Sequence, residues 1–340
     1  MLEYQQSKGG TNMAYEDYEL ALIKSFGDEV DSGIIRPENS DIQSNKARTK
    51  YNRYISSLTD IQPREYLTSE FEEVGKRYVF EKSFQIIVSI FGEKAIPFAF
   101  DYFKLLVPSG AKEVLNGVSL TIEDTRDGSI IEQVEIPDFE TTSNIVTIVH
   151  EFAHYYLNKI GINYNKKRYY EEIMAILAEK IAAQVVQLHA CERDFYDKMT
   201  EHRLETITWH YKLHLPEMES LLSEVSKLEK RSKTDPFARM QLEGLKLQLP
   251  LIRTGKGVSA IRGYYQNLAD GYGIGFLYSE SLLAKYLDDE KAFHAQLAKV
   301  TGHEIGLQQM LNYYGINATS NEVYDRVNTR LEEIKAFKRR

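Results

Sequence analysis

Two histidines four residues apart, with a glutamate beside the first, are the residues of this chain that most directly suggest chemistry. His150, Glu151 and His154 lie in the apolar stretch NIVTIVHEFAHYYLNKIG, residues 144–161. On an α-helix both imidazoles stand on one face and can reach one ion, with the carboxylate next to them. Zinc held by neutral imidazoles lowers the pKa of a bound water, and a carboxylate can take the proton as the water attacks a peptide carbonyl. The pattern predicts a metal site with Glu151 as general base and then general acid.

The residues on either side of the pattern indicate that it lies on a helix. Thr141, Thr142 and Ser143 precede it and are N-cap candidates, because a hydroxyl oxygen can accept a hydrogen bond from a free N–H of the first turn. Gly161 follows it and is typical of the position after the last helical residue. A helix between these signals is the prediction.

A catalytic zinc needs a third protein ligand, and the next helical stretch offers carboxylates. Residues 168–190 read as a long helix on which Glu172 and Glu179, seven apart, share an otherwise apolar stripe. Burying an unpaired charge costs roughly several kcal/mol, so two buried glutamates need partners. Glu172 as a metal ligand, and Glu179 as the acceptor of a hydrogen bond from a ligating histidine, would supply those partners. Two alternatives stay open: Glu171 as the ligand, or glutamates at the stripe's edge that reach water.

The oxyanion formed on attack at a carbonyl needs a hydrogen-bond donor besides the metal. The glycine-rich stretch ADGYGIGFLYSES, residues 269–281, reads as a loop entering a helix, and the phenols of Tyr272 and Tyr278 are the donor candidates. The alternative is a purely structural junction between a turn and a helix.

The rest of the chain predicts a mainly α fold with a small antiparallel β-sheet, an α+β class. Residues 14–106 read mostly as helices, with segments at 14–27, 40–58 and 69–92. Residues 114–136 show β-branched and alternating runs on either side of Asp-Thr-Arg-Asp-Gly, which is typical of a hairpin. Residues 216–252 read as two charged helices that meet near Lys233–Pro236. We expect an N-terminal helical lobe, 1–110, packed closely against a catalytic domain, 111–340.

Composition excludes several classes of function. The 340 residues carry a formal net charge of −8, with Lys and Arg interleaved among Asp and Glu, so nucleic-acid binding is disfavoured. The single cysteine, Cys191, excludes an intrachain disulfide framework and a multi-cysteine metal site. We find no run of eighteen apolar residues and no apolar signal segment, so we expect no membrane partner and a cytoplasmic location.

Three segments in order resemble one family of peptidases. SNIVTIVHEFAH resembles the catalytic helix of the thimet oligopeptidase and oligoendopeptidase F family of gluzincin metallopeptidases, where a D-V-x-T-L-like segment leads into H-E-x-G-H. The matching residues here are Thr147, His150, Glu151 and His154. The resemblance covers about residues 115–290 and implies a zincin-like catalytic core with helical lobes on either side of a cleft.

The two other segments extend the resemblance to the third ligand and the oxyanion. EIMAILAE is similar to the family's E-x-x-S-x-x-x-E segment, whose first Glu is the third zinc ligand and whose second supports the site. These positions fall on Glu172 and Glu179. GYGIGFLYS looks like the family's Gly-Tyr-x-x-Gly-Tyr loop, whose tyrosines contact substrate and stabilise the oxyanion, and Tyr272 matches the first of them.

The chain also departs from the family pattern. Ala153 replaces the usual glycine, and Asn144 stands where an acidic residue is common. Phe276 occupies the position of the second tyrosine, so that role passes to another tyrosine or is absent; the candidates are Tyr278, Tyr264 and Tyr265.

The spacing and the length depart as well. The gap from His154 to Glu172 is 172 minus 154, or 18 residues, shorter than is typical of the family. The chain is also much shorter than the usual members, so much of the wall of the family's deep channel would be missing. We therefore expect a more open cleft.

Three functional hypotheses follow. The leading one is a zinc-dependent oligopeptidase or endopeptidase, a hydrolase acting on peptides, with His150, His154 and Glu172 as zinc ligands. The second keeps the zinc site but assigns narrow regulatory proteolysis of one protein partner. The third is a helical binding module whose zinc is structural and whose catalytic site is degenerate, for which Phe276 is the best support.

Overall fold

The computed structural model describes residues 45–59, 61, 64, 66–108, 118–124, 129–137, 139–160, 168–189, 192–248, 258–300 and 307–339. Within these ranges the protein is mainly helical, as predicted. The predicted helix at 14–27, together with Gly161 and Cys191, lies outside the described residues.

Twelve α-helices and three strands follow one another in the described residues. The helices are α1 (Asn45–Thr59), α2 (Lys76–Phe91), α3 (Ile96–Leu105), α4 (Thr142–Lys159), α5 (Arg168–His189), α6 (Phe195–Trp209), α7 (Leu215–Arg231), α8 (Pro236–Gln248), α9 (Val258–Asp288), α10 (Glu290–Val300), α11 (Leu307–Tyr313) and α12 (Asn321–Phe337). The strands are β1 (Leu106–Pro108), β2 (Val118–Asp124) and β3 (Ser129–Ile136). A π-helical turn, His210–His214, joins α6 to α7.

The chain forms two compact units. One contains residues 215–267, and the other contains Ser40–His214 and Leu268–Arg340. The predicted boundary near residue 110 falls on residues outside those described, so the division into lobes 1–110 and 111–340 stays a prediction.

The sheet is mixed and not wholly antiparallel, which corrects the predicted fold class. Strands β2 and β3 pair antiparallel as the predicted hairpin, from Val118 opposite Glu135 to Asp124 opposite Ser129. Strand β1 adds to the other side of β3 in parallel, with Leu106 opposite Val134. A three-residue strand that ends on a proline is too short for periodicity to identify, which is why the sequence did not predict it.

Helix α4, which carries the two histidines, is a core helix. Fifteen of its eighteen residues are buried, and it packs against α2, α3 and α5. A helix buried on all sides needs apolar residues all round, which its Ile, Val and Phe residues supply.

The start of α4 explains the departure at Asn144. Thr141 is the N-cap, and Asn144 completes a capping box. The Asn144 side-chain oxygen accepts from the backbone N–H groups of Glu140 and Thr141 at 3.0 Å, and its amide donates to the Pro137 carbonyl at 2.8 Å. An acidic side chain could not make that last bond, because a carboxylate only accepts.

Helix α5 is buried along its first half and confirms the predicted helix at 168–190. All residues from 171 to 183 are buried, including Glu171, Glu172 and Glu179. The charges that the sequence placed on an apolar stripe therefore lie inside the protein.

The glycine-rich stretch at 269–281 is helical, which corrects the predicted loop. It lies inside α9, a continuous helix of 31 residues. Each glycine costs about 1 kcal/mol against alanine in a helix, but close packing requires two of them. A Cβ at Gly275 would lie 2.7 Å from Ile176 Cδ1, and one at Gly273 would lie 2.7 Å from the Tyr51 hydroxyl.

The unit at 215–267 contains the predicted pair of charged helices. Helices α7 and α8 meet at Asp235, whose carboxylate accepts from the backbone N–H of Phe237 at 2.9 Å and so caps α8. Pro236 suits the first helical position because its missing N–H would have no partner there. Val225, Leu228, Ala238 and Leu242 form the apolar seam of the pair.

The remaining predicted helices are found with small shifts at their ends. Helix α1 matches the described part of the stretch at 40–58. Helix α2 ends at Gly92 as expected but begins only after Gly75, whose φ is +78°. Among the described residues, no helix combines the length and the apolar composition that crossing a membrane requires.

Candidate metal centre

The two histidines of α4 face each other through their Nε2 atoms. His150 and His154 are one turn apart, both are buried, and the two Nε2 atoms lie 3.3 Å apart. This distance tests whether one ion fits. Two nitrogens bound at about 2.0–2.1 Å to a tetrahedral zinc lie roughly 3.3 Å apart, so the pair has the spacing that a zinc ion requires.

Glu172 of α5 completes the group. Its Oε1 lies 3.8 Å from His154 Nε2, and one ligand atom from each of the three residues lies within 4.8 Å of the others. Its other oxygen, Oε2, is buried and accepts no hydrogen bond among the described residues. Because a buried carboxylate oxygen needs a partner, these three side chains could hold a metal ion.

Glu171 is buried more deeply than Glu172 but does not belong to this group. Neighbouring residues on a helix point about 100° apart, so only one of the two can face α4 in this way. Among the described residues, no other group of three His, Cys, Asp or Glu side chains has the spacing of a metal site.

Glu179 lies behind His150. Its Oε2 is 3.2 Å from His150 Nδ1, on the edge of the ring away from the metal group. A carboxylate there accepts the Nδ1 proton and leaves the Nε2 lone pair for a metal. Burial by itself would raise the pKa of Glu179, but the charge of Arg203 and the hydrogen bond from His150 lower that pKa to about 2. Glu179 is therefore a permanent anion.

Glu151 is the neighbouring carboxylate on α4. It is buried, and burial raises its pKa, while the charge of His150 acts in the opposite direction. The charges of Glu172 and Glu179 raise the pKa further. A carboxyl group with a raised pKa is suited to taking a proton and releasing it again.

Tyr272 of α9 contacts Arg203, whose Nη2 lies 3.5 Å from His150 Nδ1. Its ring stacks on the imidazole of His210, with ring centres 5.1 Å apart and planes 20° apart. The guanidinium carbon of Arg203 lies 5.6 Å from the same ring centre. The preceding residue, Gly271, packs directly on Glu172: a Cβ at Gly271 would be 3.4 Å from Glu172 Cγ.

Tyr278 points elsewhere. It is six residues beyond Tyr272 on one helix, so its side chain is rotated by about 120° and displaced by about 9 Å. Its hydroxyl donates to the Ala318 carbonyl at 3.2 Å, and burial raises the pKa of Tyr278 above its usual range. The structure does not bring Tyr278 to the metal group.

Phe276, which occupies the second tyrosine position, and the other two candidates for that role make packing contacts. Phe276 is fully buried, with Lys180 Nζ 4.0 Å from its ring centre. Tyr264 and Tyr265 belong to the unit at 215–267, where they pack with Leu222 and Ile261. Of the tyrosines that we predicted as donors, Tyr272 is therefore the one that the described contacts connect with the metal group.

Two residues at the site were not predicted from the sequence. Arg203 of α6 pairs with Glu179, and His210 of the π-helical turn contacts Tyr272. Both come from a stretch in which we predicted no site residue. The run Thr200–Arg203 is entirely polar, and only the structure shows that all four residues are buried in α6, so the sequence carried no signal for either residue.

The chain has little detectable similarity to characterised proteins. No protein-family model matches it, and neither does any curated protein. One solved structure, of a "putative peptidase" from Chlamydophila abortus, superposes with a TM-score of 0.45 at 12% sequence identity. The superposition covers 93% of this chain and 55% of the other, so the chain spans about half the length of that protein.

Proposed function

We propose that this chain is a zinc-dependent peptidase, a relative of the thimet oligopeptidase and oligoendopeptidase F family, that hydrolyses peptide bonds in peptides. The observation that carries the proposal is the buried group of His150, His154 and Glu172, with the two Nε2 atoms at 3.3 Å. Two histidines and a glutamate are a common ligand set of catalytic zinc in peptidases. The ligand set supports zinc over magnesium or calcium, which prefer oxygen ligands.

The residues divide the chemistry among them. Zinc, when bound, would supply positive charge that polarises a peptide carbonyl and makes water more acidic. Glu151 would take a proton from the attacking water and return it to the leaving amine, for which its burial and raised pKa are suited. Glu179 would hold His150 in the orientation that presents Nε2.

Tyr272 is the proposed oxyanion donor. Its ring is held between contacts with His210 and Arg203, so the hydroxyl has few orientations available. A donor fixed in advance stabilises a developing negative charge without reorganising during the reaction.

The test is Glu151→Gln measured against wild type for zinc content and for cleavage of a diverse peptide mixture. We expect about one zinc per chain in both proteins and a loss of hydrolysis of at least about 100-fold in the variant. Full activity in Glu151→Gln would contradict the proposal.

The same experiment distinguishes the two other hypotheses. Zinc bound in full with no cleavage of any generic peptide, but cleavage of one co-purifying protein, would favour a narrow regulatory protease. Zinc bound with no hydrolysis of either kind would favour a helical binding module with a structural metal.

A further inference from the structure

Arg203 holds the carboxylate that lies behind His150. Its Nε is 3.0 Å from Glu179 Oε2 and 3.3 Å from Oε1, and its Nη2 makes a second, short bond to Oε2. Both side chains are buried, with 9% and 5% of their surfaces exposed. A fork of guanidinium donors fixes the plane of a carboxylate, which a single point charge does not.

The Glu179 oxygen that Arg203 contacts also lies within hydrogen-bond distance of the metal ligand His150. Glu179 Oε2, which Arg203 holds, is the atom 3.2 Å from His150 Nδ1. Arg203 Nη2 is itself 3.5 Å from Nδ1. Because a guanidinium cannot accept a hydrogen bond, Glu179 is the acceptor for both groups. The orientation of the His150 ring therefore depends on where Arg203 places Oε2.

A merely structural role for Arg203 would be to neutralise a buried glutamate. That role does not require the shared oxygen: any cation near Glu179 would satisfy it. The guanidinium carbon of Arg203 also lies 5.6 Å from the ring centre of Tyr272, the proposed oxyanion donor.

We infer that Arg203 is a positioning residue for the metal ligand His150, acting through Glu179. The inference rests on the proposed zinc site and adds a residue that the resemblance does not supply. Arg203 comes from α6, whereas the ligands come from α4 and α5, so the pair ties a third helix to the metal group.

The experiment measures zinc affinity by competition with a chromophoric chelator, alongside thermal unfolding of the zinc-free proteins. The variants are Arg203→Lys, Arg203→Met, Glu179→Gln and the double variant Glu179→Gln with Arg203→Met. Removal of a partner behind a metal ligand weakens metal binding by about 10–100-fold, and we expect a loss of this size in Arg203→Met. Arg203→Lys should lose less, because it keeps one donor.

The double variant tests whether Arg203 acts through Glu179. We expect its zinc affinity to match that of Glu179→Gln alone, since the carboxylate that Arg203 positions is already lost in Glu179→Gln. The double variant also removes both charges, so it avoids an unpaired buried ion if Arg203→Met fails to fold. Losses that add independently would overturn the inference.

Arg330→Lys is the matched control. Arg330 has the same 9% side-chain exposure and donates to Asp197 at 2.8 Å, but the described contacts do not connect it with His150. We expect lower stability and unchanged zinc affinity. If Arg203→Lys and Arg203→Met behave in this way too, Arg203 is only structural and the inference fails while the proposed function stands. If wild type binds no zinc, the proposed function fails first.

Discussion

Gly275 of α9 lies directly against the peptide of Glu172: a Cβ at residue 275 would sit 3.1 Å from the Glu172 carbonyl oxygen and 2.7 Å from Ile176 Cδ1. The proposed third ligand is therefore fixed from behind by a helix that the sequence led us to expect as a loop. The position of Glu172 depends on how closely α9 approaches α5.

Gly275→Ala should separate α9 from α5. Because the added methyl meets backbone as well as a side chain, we expect a loss of about 1–3 kcal/mol in the free energy of unfolding and weaker zinc binding. Chemical denaturation and chelator competition measure the two effects. Adding Ile176→Val to Gly275→Ala removes the Cδ1 atom that the new methyl meets, so the double variant should recover part of the stability.

Gly244→Ala is the control for Gly275→Ala. Gly244 lies inside α8, and a Cβ there meets nothing within 4 Å. The substitution should stabilise the protein by about 0.5–1 kcal/mol through helix propensity. A similar gain at Gly275 would show that α9 does not press on Glu172.

Glu172→Gln and Glu171→Gln separate the two candidate third ligands. Only Glu172 belongs to the group with His150 and His154, so we expect Glu172→Gln to lose zinc at a concentration at which Glu171→Gln retains it. Elemental analysis after gel filtration measures both. The reverse result would assign the ligand to Glu171.

Tyr272→Phe and Tyr278→Phe should differ in what they change. Loss of an oxyanion donor lowers kcat by about 100-fold or more and leaves the fold intact, which we expect of Tyr272→Phe. Tyr278→Phe removes a buried hydrogen bond to Ala318, so we expect about 1 kcal/mol of lost stability and unchanged kcat. Equal kcat values for Tyr272→Phe and wild type would exclude the proposed donor.

Acid should destabilise the protein partly through His202. Burial, and then the charge of Arg203, lower the pKa of His202 from 6.5 to about 4. The folded protein thus resists a proton that the unfolded chain accepts, so stability is full above pH 6.5 and falls as the pH drops toward 4. Glu179 contributes at lower pH. Because folding lowers its pKa to about 2, its stabilising contribution is full above pH 4.5 and is lost as the pH falls toward 2.

The measurement is urea unfolding of the zinc-free protein between pH 7.5 and 4.5. We expect the free energy of unfolding of wild type to fall by up to a few kcal/mol over this range. His202→Gln should show a flatter dependence because it cannot take up the proton. Parallel curves for the two proteins would exclude His202 as the titrating group.

The sequence by itself predicted the features that local spacing controls. His150 and His154 share a face because they are four apart on one helix, and the hairpin and the α7–α8 pair followed from turn residues between periodic runs. Glu172 and Glu179 could also be chosen from one helix, because a charge on an apolar stripe needs an explanation.

Tertiary packing decided what no local pattern contains. The alternating glycines Gly271, Gly273 and Gly275 predicted a loop, but α5 and Tyr51 occupy the space that larger side chains would need, and the segment is helical. Arg203 reaches Glu179 across 24 residues of chain, and β1 joins β3 in parallel through three residues. These contacts join distant parts of the chain through burial and hydrogen bonding, for which sequence spacing has no rule.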